Sequence, residues 1–263
     1  MTPWTPVLTV AGVTIRESFS RKQYAVLVIL MVLAYIVCQR LQFLGVKSDS
    51  RFALHVPLLG IPLLGGILAV LATARQIPYE IRNRTLYPLL AKPVSRWQVV
   101  LGKWLGVVVL VGATQWILGI VMALALRRSE IHIGTTYWQQ MALFTLQMMI
   151  VAALTLFLSV VVNYDAAVVL GLVLFVGFSG GTFTELEVQV WAQQLSGGAR
   201  LWALLPTYLL PRLDLFVNPM TQIVLFDWPA RPWSALVPLF GYGAGWSAIF
   251  LALGAWAFQR RDL

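Results

Sequence analysis

Six predominantly apolar runs, each of about 18 residues or more, govern what this chain can fold into. They cover approximately residues 24–46, 54–73, 99–126, 137–162, 166–183 and 234–258. A run of about 20 such residues crosses the hydrocarbon core of a bilayer as one α-helix. Inside a bilayer every backbone N–H and C=O has to be satisfied internally, which leaves helices or closed barrels. Barrel strands alternate apolar and polar residues over about ten positions, whereas these runs are apolar on every face. The expected fold class is therefore an all-α integral membrane protein with six transmembrane helices. Charge agrees, since 11% of the residues are charged against roughly a quarter in soluble domains. The first run follows Arg16, Glu17, Arg21 and Lys22 and lacks a small-residue cleavage site. It reads as a retained span, not a leader.

A net charge of +9 raises nucleic acid as a partner, and the distribution of that charge removes it. With the N-terminus inside and six crossings, both termini are cytoplasmic. The inner side then holds eleven basic and four acidic residues, a balance of +7, and the outer side eight and six, a balance of +2. That is the positive-inside pattern of a multi-pass protein of the cytoplasmic membrane. Anionic membrane lipids suffice as the partner of these cations.

The spans carry almost no acids, whereas ion-coupled transporters place Asp, Glu or His within the bundle. Energy coupling has to come from elsewhere, or there is none. No catalytic residues can be assigned, because no buried Ser or Cys has a partner base. No His/Asp/Glu cluster has metal-ligand spacing, so no metal is expected. The lone cysteine, Cys38, lies in the first span and reads as packing. Leu195-Ser196-Gly197-Gly198 looks like the signature of an ATP-binding cassette. That signature functions only beside a GxxxxGK[ST] phosphate loop, which the chain lacks, and a turn between short helices explains it.

Between the runs, three segments carry further information. Residues 5–19 mix apolar positions with Arg16, Glu17 and Ser18, which suits a helix on the cytoplasmic membrane surface or a frayed tail. Residues 184–233 are too long for a simple connection and are broken by Pro206, Pro211, Pro219, Pro229 and Pro232, as short outer-face helices before the last span would be. Residues 75–98 form a basic cytoplasmic segment that also carries Ile81, Leu86, Tyr87, Leu89, Leu90 and Val94. Pro78 is expected to end the second span, residues 80–90 to form a helix along the membrane plane, and Ser95 to cap the third span. An ordinary basic loop does not need that apolar surface, and a partner groove would bury it. Gly102 with Gly106, and Gly241 with Gly245, form GxxxG pairs, which serve internal helix packing or a dimer seam. Gln115, Gln147, Thr145 and Ser159 are polar groups within apolar runs, read as interhelical hydrogen bonds or as the lining of a path.

Glu80, Arg84-Thr85-Leu86, Leu89-Leu90, Lys92-Pro93-Val94-Ser95-Arg96 and Leu101-Gly102-Lys103 resemble the E…GTL…LL.KPVSR…LGK signature of ABC-2-type ABC exporter permeases, with Arg84 where that signature has glycine. LLPRLDLF at 209–216 resembles the family's LPNxxxFD-like stretch, and FQRRDL at 258–263 its common ending. The resemblance spans nearly the whole chain, as one permease domain over 1–263, and is closest to the small permeases that include the nitrous-oxide-reductase maturation permease. It implies a subunit of the bacterial cytoplasmic (inner) membrane that pairs with a separate ABC ATPase and with a second permease, identical or homologous. The chain would hold no cofactor, ATP and Mg being bound by the ATPase. Glu80, Arg84, Leu86, Tyr87, Leu89, Lys92 and Arg96 would make the coupling contacts, with Glu80 and Arg84 as charged groups and Leu86, Tyr87 and Leu89 as anchors. On that reading Glu80→Arg or Leu89→Asp uncouples transport without unfolding the bundle. The substrate, a lipid or another amphipathic molecule, is not encoded legibly. A membrane anchor transmitting force to a periplasmic partner is the alternative; a lipid-modifying enzyme would need a catalytic cluster.

Overall fold

The computed structural model describes residues 4–20, scattered positions between 25 and 36, 50–82, 95–128, 134–179, 211–217 and 232–260. Helices account for nearly all of them: α1 (Thr5–Phe19), α2 (Ser50–Ala74), α3 (Gln76–Arg82), α4 (Arg96–Arg128), α5 (Thr135–Val161), α6 (Tyr164–Ser179) and α7 (Val237–Gln259). Short 3-10 turns cover Leu213–Phe216 and Trp233–Leu236. Among the described residues there is no strand.

Among the described residues, four helical stretches are long and apolar enough to cross a membrane: Gly60–Arg82, Arg96–Leu124, Thr135–Val161 and Trp233–Gln259. The fifth expected span appears as the shorter apolar helix α6. Most of the first, with Cys38, lies outside the described residues, as do most of 184–233 and the Leu195–Gly198 turn.

α5 is the centre of the bundle. It packs against α2, α4, α6 and α7, and Leu143, Phe144, Ile150, Ala153 and Leu156 on it are fully buried. Its neighbours keep an outward side that suits lipid, with Val109, Ile117, Val173 and Leu253 exposed. The turn to α6 is tight, as its sequence suggests: α5 ends at Val161, and Ala167 N–H already donates to Asn163 O at 2.8 Å.

The second span does not end at Pro78. Helix breaks for one residue at Arg75 and resumes as α3, with Pro78 in its first turn. A proline there forfeits an N–H that would have no intrahelical acceptor anyway. α4 starts where expected. Ser95 N–H donates to Gln98 Oε1 at 3.0 Å, the reciprocal half of an S-x-x-Q capping box.

The predicted N-terminal helix exists and faces protein as well as the exterior. Val7, Val10, Ala11, Thr14 and Ser18 are buried, while Trp4, Leu8 and Phe19 form an exposed apolar stripe one quarter-turn away. Thr5, Thr9, Arg16 and Ser20 occupy the remaining, polar side. The expected placement flat on the membrane surface is not what the structure shows: α1 lies along a spanning helix, α4, with one side on the bundle and an apolar side turned outward.

Candidate coupling site

Residues 83–94, which contain Arg84, Leu86, Tyr87, Leu89 and Lys92, lie outside the described residues, but the two stems that carry them do not. α3 delivers the chain to this segment and α4 takes it back. The stems are joined by one ion pair: Lys103 Nζ donates to Glu80 Oε1 at 2.6 Å. The Lys103 side chain is 2% exposed and that of Glu80 17%. Burying a cation this deep in an apolar helix is costly unless an acid stands beside it. Glu80 therefore points into the bundle, along the side of α3 that also buries Gln76 and Ile77.

Two further ties hold the same region. Gln76 Nε2 donates to Ser18 Oγ at 3.1 Å, linking α3 to α1. Arg96 Nη1 donates to Phe258 O at 2.8 Å and Gln259 O at 3.0 Å, with its guanidinium carbon 5.7 Å from the Phe258 ring centroid. Those carbonyls belong to the last turn of α7, where intrahelical donors run out and the helix dipole is negative. Replacing Arg96 by Met is expected to cost about 1–2 kcal/mol, read as a lower melting temperature of the purified chain, with Arg96→Lys intermediate. No change in either variant would mean that the C-terminal turn of α7 does not depend on this cation.

Glu80 and Arg96 thus do not converge. One is turned to α4, the other to α7. The end of α3, the start of α4, the end of α7 and, beside Arg82, the α5–α6 turn nonetheless gather at one end of the bundle. The even number of crossings assumed between these segments requires that common side. At the opposite end, the 3-10 turn inside the LLPRLDLF stretch docks on two spans. Gln140 Nε2 donates to Phe216 O at 2.8 Å, and Arg212 N–H to Tyr242 Oη at 2.9 Å.

A family model for an ABC-2 family transporter protein matches residues 8–263. The chain belongs to the ABC-2 transporter family. No curated protein matches it. Membership and the apolar helices make it a multi-pass integral membrane protein of the transporter permease type.

In this ABC-2 permease the first GxxxG pair has a partner within the chain. A Cβ on Gly102 would stand 2.7 Å from Val10 Cβ and 2.8 Å from Val7 O, and one on Gly106 2.7 Å from Thr14 Cβ and 2.8 Å from Ala11 O. Glycines four apart meet residues four apart, so α1 runs in the same direction as α4 and seats in its glycine groove. Among the described residues nothing lies within 4 Å of a Cβ at Gly241 or Gly245, while Gly243 packs on Leu146.

The polar residues of the spans divide. Gln147 Nε2 donates to Ser179 Oγ at 2.7 Å and Trp116 Nε1 to Thr145 Oγ1 at 3.0 Å, both between helices. Ser159 bonds back to Leu156 O within α5. Among the described residues, Gln115, 1% exposed, has no hydrogen-bond partner for either amide atom. Among the described residues no three His, Cys, Asp or Glu come close enough to hold a metal ion.

Sequence reasoning missed Lys103, Gln76 and Ser18 as members of this site. Lys103 had a signal, a lone cation within an apolar run, which in a membrane helix demands a partner.

Proposed function

We propose that the chain is the membrane-spanning subunit of an ABC exporter and that residues 80–96 couple it to a separate ATPase. The ATPase binds ATP and Mg. A second permease, identical or homologous, completes the transporter in the bacterial inner membrane, with both termini of this chain in the cytoplasm. The observation that carries the reading is the joining of the two stems through Glu80 and Lys103. A push on the intervening segment is then delivered to the second and third spans together, which is what a coupling element needs. Arg84, Lys92 and the apolar Leu86, Tyr87 and Leu89 are assigned to the ATPase groove, and Arg96 holds the segment's exit to α7. Glu80 is assigned to the stems rather than to the ATPase surface. The cargo is a lipid or another amphipathic molecule.

Glu80→Arg no longer separates coupling from folding, because it sets a second cation against Lys103. Leu89→Asp does. It is expected to weaken ATPase co-purification about tenfold or more while leaving the melting temperature of the permease unchanged. The primary test is affinity purification of the chain from native membranes in mild detergent. A stoichiometric partner with a GxxxxGK[ST] loop and its own LSGGQ is expected. Recovery of the chain alone, or with outer-face proteins only, would overturn the proposal.

The docking of Arg212 and Phe216 on α7 and α5 favours a second reading, in which the outer region passes force to a periplasmic partner without moving solute. Cross-linking that captures such a partner, with no transported molecule, would select it.

A further inference from the structure

α3 has a second working side. Arg75, Tyr79 and Arg82 recur at helical spacing on the side turned away from Glu80, and the Arg75 guanidinium carbon lies 5.0 Å from the Tyr79 ring centroid. Across from them stands the α5–α6 turn with Asn163, Tyr164 and Asp165, and between the two is an open cleft of about 700 Å³. That volume lies within the range of about 300–1,000 Å³ usual for small-molecule sites. Among the described residues its lining contains two guanidinium groups, two phenols and one carboxamide against a single carboxylate, Asp165. Guanidinium groups bind phosphate by paired charge-assisted hydrogen bonds, and phenol and amide groups add neutral donors.

A second observation says what a phosphate would be attached to. From Asp165 upward, α6 exposes Ala166, Val169, Val173 and Val176 at successive helical turns, with the three valines 58%, 61% and 48% exposed. This apolar stripe begins at the cleft mouth and climbs into the membrane-spanning part of the bundle. A soluble anion has no use for it. An acyl chain does.

We propose that this cleft binds the headgroup phosphate of an anionic phospholipid, with its acyl chain laid along the Val169–Val173–Val176 stripe of α6. Arg75 and Arg82 supply the charge, Tyr79, Tyr164 and Asn163 the neutral donors, and Asp165 limits the affinity. The site requires a membrane-embedded helix bundle but not the coupling role of residues 80–96, so the two stand or fall separately. Arg82 lies at the start of that segment, which places the bound lipid at its root.

The test is native mass spectrometry of the full chain in detergent, titrated in parallel with phosphatidylglycerol, phosphatidylcholine and inorganic phosphate. Phosphatidylglycerol is expected to bind tighter than phosphatidylcholine, with the Arg75→Gln/Arg82→Gln pair losing about thirtyfold in affinity for it. Asp165→Asn should tighten binding, a gain that a misfolded variant does not produce. Val173→Asn should weaken phosphatidylglycerol and leave phosphate binding unchanged. Undiminished phosphatidylglycerol binding in the double arginine variant would overturn the proposal. So would inorganic phosphate binding as tightly as the lipid, since the cleft would then take a free phosphate-bearing ligand. Loss of ATPase co-purification in the double variant with lipid binding intact would make the cleft a protein-docking surface instead.

Discussion

Replacing Lys103 by methionine is expected to lower the stability of the purified chain by about 3–5 kcal/mol, the usual cost of breaking a buried ion pair from one side. Most of that cost comes from Glu80, whose carboxylate is left mostly shielded from water with its cationic partner gone. Glu80→Gln should cost a comparable amount, because the ammonium it abandons is the more buried of the two groups. The double variant Glu80→Gln/Lys103→Met removes both charges and should recover most of the loss, since apolar or neutral replacements of a buried pair are often tolerated. Thermal unfolding of the four proteins in one detergent forms a double-mutant cycle. Additive losses, with no recovery in the double variant, would show that the two side chains do not interact. Recovered stability together with lost ATPase coupling would separate the pair's folding role from its role as a strut.

Alanine at Gly102 and Gly106 is expected to dislodge α1. Overpacking costs about 1–3 kcal/mol per site, and here the crowding atoms are Val10 Cβ, Thr14 Cβ and the carbonyl oxygens of Val7 and Ala11, which no rotamer change can withdraw. The helices have to part. Amide exchange across Thr5–Phe19 should accelerate by roughly 30-fold or more in the double variant. Gly241→Ala/Gly245→Ala is the control, since nothing among the described residues opposes a methyl group at either position. Alanine gains about 1 kcal/mol per site over glycine in a helix interior, so this variant should be at least as stable as the parent. Equal exchange rates in parent and Gly102→Ala/Gly106→Ala protein would mean that α1 is not held by this groove.

Hydropathy located α4, α5 and α7 to within a few residues, because an uninterrupted apolar run leaves helix as the only way to satisfy its backbone. It misjudged Pro78, whose effect depends on its position within a helical turn, and the break one turn earlier at Arg75 carries no special residue. The Glu80–Lys103 pair was beyond sequence reasoning for a different reason. The two residues lie on different helices, and their meeting depends on how deeply α3 and α4 stand side by side. Gly102 and Gly106 announced a close approach without saying to what, and α1 announced an amphipathic helix without revealing that two of its sides are apolar for different neighbours. The candidate coupling site was therefore legible as a segment and as a set of motifs. Its fastening to the spans became visible only in three dimensions.

That fastening makes α4 a lever. Its 33 residues extend about 50 Å at 1.5 Å per residue, so tilting its foot by about 10° while the helix stays straight carries the far end roughly 9 Å sideways. The foot is held by Arg96 to the last turn of α7 and by Lys103 to α3. On the proposed coupling, a small stroke applied near residue 96 would become a large displacement on the opposite side of the bundle, with α7 drawn along, and the length of one helix would set the gain.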